Sequence, residues 1–114
     1  MTYTFIPDAA SRVIFSSEGP QPQTLFTEGQ VRVVAAGLKA DQIIPSHLEG
    51  LAVYTFLKGS GWMIVNGEKL AVGPGSIVIT HAGVRRGIEA NEELIFIGVR
   101  ISELRAKRIE TRNN

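Results

Sequence analysis

Few side chains in this sequence can do chemistry, and their spacing limits what that chemistry is. His47 and Glu49 stand two residues apart, so an imidazole and a carboxylate share a face if the backbone there is extended. His81 follows a β-type run from Ser76 to Thr80. Together His47, Glu49 and His81 have the donor types of a transition-metal site, though not a recognised spacing. The plainer reading makes Glu49 a solvated loop carboxylate and His81 a strand-end residue. Arg86 is different in kind. Its guanidinium is permanently cationic, repels a metal ion from any pocket it shares, and, out of water, needs an anionic partner or several acceptors. That partner is either a carboxylate or phosphate ligand or an internal acid such as Glu49 or Glu89. Alternation from Ala52 sets Tyr54 and Phe56 on one face. His47 and Tyr54 are base and acid types, but a lone pair of this kind is more often packed and hydrogen-bonded than catalytic.

Other chemistries are excluded by what is missing. The chain has no cysteine, which removes disulfides, thiolate metal sites and a cysteine nucleophile. Gly73-Pro74-Gly75 and Gly59-Ser60-Gly61 do not lead into a helix whose N-terminus would hold phosphate, and both read as turns. There is no nucleophile elbow, zinc pattern or helix-turn-helix. Trp62, the one tryptophan, reads as core or interface packing. Twelve basic against eleven acidic residues give a net charge of +1, no general attraction for nucleic acid or anionic membranes. The basic run Arg105 to Arg108 reads as a solvated face. No apolar stretch is long enough to span a bilayer, and the first residues carry no secretion signal; with the lack of cysteine, this gives an expected cytoplasmic location.

The elements that must position these groups are short strands. A length of 114 residues suits one domain over 1–114 with a core that needs no metal or disulfide. Period-two patterns predict strands over Thr2 to Ile6, Arg12 to Phe15, Gln30 to Leu38, Leu51 to Leu57, Trp62 to Val65, Lys69 to Val72, Ser76 to Thr80, Gly87 to Ala90 and Leu94 to Ile101. Many short strands separated by turns imply an all-β sandwich or closed barrel. Asn66-Gly67 suits a type I′ hairpin turn, and Gly19 to Pro22 is a connector within the domain. Ser102 can cap a short C-terminal helix with Glu103 in its first turn; with only Leu104 and Ile109 as apolar contacts, fraying is the alternative.

Two stretches resemble the paired motifs of the cupins: PSHLEGLAVYTFLKG over residues 45–59 and GSIVITHAGVRRG over residues 75–87. Counting back from Gly59, Ala52 takes the position of the first motif's glutamate, His47 that of its second histidine and Pro45 that of its first. From Gly75, His81 falls where the second motif has proline, Gly83 on its second glycine, and Arg86 where the last metal-binding histidine stands. The first motif's opening glycine would fall at Lys39 and the second's terminal asparagine at Ala90, both departures. The resemblance covers roughly Val31 to Ile101. It implies a cupin-type double-stranded β-helix, the RmlC-like jelly-roll barrel, whose metal centre has lost three of four ligands.

In that frame Tyr54 and Phe56 face the barrel interior and, with His47 and Arg86, outline an apolar pocket with few polar groups. The implied function is binding of a small anionic molecule with Arg86 as anchor, and no metal cofactor. One alternative is a metal-dependent oxygenase or isomerase using the irregular set His47, Glu49 and His81. Another is a structural or regulatory homodimer with an occluded barrel. A homodimer is expected in any case, because Val53 and Leu57 alternate with Tyr54 and Phe56 and leave neither face of the strand suited to water.

Overall fold

The computed structural model describes residues 2–102, so the expected C-terminal helix lies outside the described residues. Nine strands run in order: β1 Gln23–Glu28, β2 Val31–Leu38, β3 Ile43–Leu48, β4 Leu51–Lys58, β5 Gly61–Val65, β6 Glu68–Val72, β7 Ile77–Thr80, β8 Arg85–Ala90 and β9 Leu94–Ile101. They form two antiparallel sheets, β1-β2-β9-β4-β7 and β3-β8-β5-β6, facing each other as a jelly roll. The β5–β6 hairpin turns on Asn66 and Gly67 with φ of 50° and 86°, as the expected turn type requires.

The interior follows from alternation. Ala52, Tyr54 and Phe56 of β4, Ala36 and Leu38 of β2, and Leu94 and Phe96 of β9 point inward from one sheet. Met63, Val72, Ile88 and Ala90 meet them from the other. Phe96 tilts against both Tyr54 and Phe56, with ring centroids 5.8 and 5.7 Å apart, an edge-biased arrangement favoured by ring quadrupoles. The barrel is therefore packed with side chains through its lower part.

The strand expectations need correction at four elements. Residues 2–6 are not a strand; the segment lies beside Phe26 and Val33, and Pro7, which has no N–H, ends it. Arg12 to Phe15 is not a strand either. Ala9–Arg12 makes one 3₁₀ turn, and the Phe15 ring settles over Gly37, where a side chain on β2 would clash with it. β1 and β3 were not expected from the pattern. Pro45 breaks the hydrogen-bonding pattern of β3, but β3 is an edge strand whose register shifts between Ile44 and His47, the context in which a strand tolerates proline. Gly87 on β8 lets this irregular strand approach, since a Cβ there would sit 2.7 Å from the Ile44 carbonyl oxygen.

Gly59 closes β4 with φ of 81°, and a Cβ on it would run into the Glu93 carbonyl oxygen. Both the left-handed backbone and the contact penalise any side chain. Gly59→Ala is expected to lower unfolding free energy by about 3 kcal/mol in urea denaturation; a loss below about 1 kcal/mol would show that the β4–β5 turn relaxes freely.

Candidate functional site at the barrel mouth

Alternation on β8 sends Arg86, Ile88 and Ala90 inward, and register sets Arg86 opposite His47 on β3 and Val65 on β5. Arg86 is 1% exposed, the largest fully buried side chain among the described residues. A guanidinium carries five N–H donors, and burial makes each unmet one costly. Nε donates to the Val84 carbonyl (2.8 Å) and Nη1 to that of Gly50 (2.9 Å). Nη2 donates to the carbonyls of Glu49 (3.3 Å) and His81 (2.9 Å). The acceptors come from two turns, β3–β4 and β7–β8. The Gly83 N–H also reaches the Glu49 carbonyl at 3.1 Å, so the two turns are joined directly as well as through Arg86.

The internal acids considered from sequence do not pair with this charge. The Glu89 carboxylate lies 3.4 Å from Lys69 Nζ. Glu49 gives Arg86 its main-chain oxygen, while its carboxylate lies 2.8 Å from His47 Nε2 through one oxygen and 2.8 Å from Arg100 Nε through the other. The Arg100 Nε–H is buried and not aimed at that oxygen, so the contact is a close ion pair without a hydrogen bond. His47 Nδ1 lies 3.0 Å from the Pro45 carbonyl. Both its ring nitrogens thus lie within hydrogen-bond distance of protein oxygens.

These residues do not fit the transition metal that a cupin site implies. Pro45 and Ala52 have no donor, Arg86 brings a cation, and neither ring nitrogen of His47 is left free for a metal. Nor is the substitute set assembled: His81 is exposed and supplies Arg86 with only its carbonyl, and no three His, Asp or Glu side chains gather into a metal-holding group among the described residues.

Of the expected ligand-binding residues, the structure brings His47, Tyr54 and Arg86 to one end of the barrel and leaves Phe56 deeper in the core. The Tyr54 hydroxyl is buried without a hydrogen-bond partner, as is that of Thr80. Burial pushes the Tyr54 phenol above its ordinary 10.0, while the Arg86 guanidinium beside it opposes the shift. The open space lies just outside, in a cleft of about 490 Å³ lined by Gln30, Arg32, Leu48, Glu49, Arg100 and Ser102 among others. None of His47, Tyr54, Phe56 and Arg86 lines it. Arg100 pairs in register with Ala52 on one side and Arg32 on the other. Sequence reasoning missed both arginines, although carrying the alternation Phe96, Gly98, Arg100 to the strand end gives the signal. Arg32 Nε and Nη2 donate to Thr24 Oγ1 at 3.1 and 2.8 Å. The cleft lining thus holds Arg100, paired with the Glu49 carboxylate, and Arg32, bonded to Thr24, while Arg86 lies buried behind the turn.

Arg86→Met is expected to destabilise the protein by about 3 kcal/mol or more in urea denaturation, because it strips four carbonyls of their shared donor. Arg86→Lys should recover less than half of that, since an ammonium cannot reproduce the planar fork; full recovery would reduce Arg86 to a point charge. Tyr54→Phe should be nearly neutral near pH 7, as the lost hydroxyl has no partner. Raised in the folded state, the Tyr54 phenol stabilises below its ordinary 10.0 and loses that contribution as pH rises above it. The Tyr54→Phe protein should therefore lose less stability than the parent above pH 10; equal losses would place the hydroxyl in water.

Neither a protein-family model nor a curated protein sequence matches the chain. Solved structures do. A conserved protein with a double-stranded β-helix domain from Klebsiella pneumoniae superposes with a TM-score of 0.80 at 23% identity, covering 87% of this chain and 90% of that one. A conserved protein of unknown function from Streptococcus pyogenes gives 0.77 at 20% identity, covering 90% of both chains. An RmlC-like cupin from Desulfovibrio desulfuricans gives 0.75 at 17% identity, covering 89% and 96%. At these identities the likeness speaks for architecture, and it agrees with the strand order and the glycine-marked turns: this chain has the cupin fold, the RmlC-like double-stranded β-helix.

Proposed function

We propose that this chain is a metal-independent binding protein for a small molecule bearing a carboxylate or phosphate, held in the cleft at the barrel mouth. The observation that carries this reading is the charge of the cleft lining, the two arginines Arg32 and Arg100 against one carboxylate, that of Glu49, among the described residues. The interior is the poorer place for a ligand. Tyr54, Phe56 and Phe96 fill it, and Arg86 spends four of its five donors on main-chain carbonyls. The anchor expected at Arg86 therefore passes to Arg100 and Arg32, whose guanidiniums border the cleft.

An anion entering the cleft accepts charge-assisted hydrogen bonds from these two arginines, and its apolar body rests on Leu48 and Ile101. Glu49 competes for Arg100, so a bound acid must share or displace that contact. Buried behind the turn, Arg86 adds a fixed positive field that Glu49 offsets only in part.

Benzoate and inorganic phosphate serve as probes of the two anion types. At ten times its dissociation constant a probe should add about 1.4 kcal/mol to stability, which raises the melting temperature by roughly 5 °C. Arg100→Met should abolish the rise and Arg32→Met should reduce it severalfold, both without loss of fold. No shift with either probe up to 50 mM, or one that survives both substitutions, would overturn the reading.

A further inference from the structure

Register sets Arg32 of β2 and Arg100 of β9 directly opposite each other, in one row with Ala52 and Thr80 and so on one face of the sheet. Side chains opposed in this way start about 5 Å apart, and two like charges so placed repel. Glu49 offsets the repulsion only in part. Its carboxylate is divided between two partners, one oxygen 2.8 Å from Arg100 Nε and the other 2.8 Å from His47 Nε2. Both arginines line the cleft of about 490 Å³, where a bound anion relieves their repulsion.

The two guanidiniums are engaged in the same way. Each offers an oxygen ligand two edges, one formed by Nε with a terminal nitrogen and one by the two terminal nitrogens. On Arg32 the first edge is taken, since Nε and Nη2 both donate to Thr24 Oγ1 at 3.1 and 2.8 Å. On Arg100 the Nε side is the one that Glu49 flanks. Among the described residues no protein acceptor meets Arg32 Nη1 or either terminal nitrogen of Arg100. Two neighbouring forks are thus held from one side and open on the other.

The anion type follows from the number of edges it presents. A carboxylate has one O–C–O edge and satisfies one fork at a time. A phosphate monoester has three terminal oxygens, hence three O–P–O edges, and two of them can meet two forks together. We infer, on the reading of the cleft as an anion site, that its ligand is a phosphate monoester whose phosphoryl group is gripped between the open edges of Arg32 and Arg100. Thr24 is then a positioning residue, which touches no ligand and fixes the fork of Arg32. Glu49 keeps the Nε side of Arg100, so the carboxylate and the phosphoryl group share that guanidinium. A phosphoryl group fills only a small part of the cleft, and the remaining room beside Leu48 and Ile101 takes a modest organic group.

Phenyl phosphate and benzoate share a ring and differ in the anion, so calorimetric titration of the full chain with each tests the assignment. Phenyl phosphate should bind at least tenfold more tightly than benzoate. Because the ester also carries the larger charge, substitutions separate charge from geometry. Arg32→Lys keeps the cation and removes the fork, and should bring phenyl phosphate to within threefold of benzoate. Thr24→Val should weaken phenyl phosphate severalfold and leave benzoate unchanged, a split that a general loss of structure would not produce; it carries the test if Arg32→Lys does not fold. Equal affinities for the two probes in the parent would overturn the phosphate assignment and leave the anion cleft standing, whereas binding of neither would overturn both. A tenfold preference that survives Arg32→Lys, or one indifferent to Thr24→Val, would overturn the two-fork grip.

Discussion

A guanidinium taken out of water must find acceptors for nearly all of its N–H groups, and at Arg86 they are the carbonyls of two adjacent turns. The β3–β4 and β7–β8 turns each cross from one sheet to the other at this end of the barrel. A permanent cation between them does mechanically what a ligated metal does, drawing lone pairs from separate segments toward one point. It differs in one respect that decides the chemistry. Carbon and nitrogen surround the charge, so no coordination position is left open for oxygen or substrate.

The rest of the barrel is consistent with that substitution. Where a carboxylate would have to reach a metal, Ala52 contributes only a methyl group, and the space goes to apolar packing around Tyr54, Phe56 and Phe96. The polar groups left at the mouth rearrange accordingly. The Glu49 carboxylate turns from Arg86 to His47 and Arg100, and the hydroxyls of Tyr54 and Thr80 remain without partners. Room for a ligand moves outward, to the cleft where Arg32 and Arg100 reach the rim.

Much of the fold was legible in the sequence because its determinants are local. Asn66-Gly67 specifies a turn, Gly59 marks a backbone that tolerates no side chain, and the alternation of Leu51 to Leu57 assigns the interior of β4. β3 was not legible, since Pro45 and a register shift erase the strand signal, and only its edge position and the approach allowed by Gly87 make it possible. Tyr3 and Phe5 alternate like strand residues and are not in one, because alternation reports a preference and not the presence of a partner strand. The expectation that three of the four cupin ligand positions lack a donor rests on residue types and on the resemblance. The partners of Arg86 were not, because main-chain carbonyls carry no sequence signature, and acidic residues were the natural candidates.

The proposal that a fixed guanidinium stands in place of a metal centre is tested most directly by elemental analysis of protein purified without chelator or affinity metal. Well under a tenth of an equivalent of iron, manganese, nickel, copper and zinc is expected, unchanged in Arg86→Met, since Pro45 and Ala52 still supply no donors. One equivalent of any of these metals, lost on His47→Ala, would contradict the account.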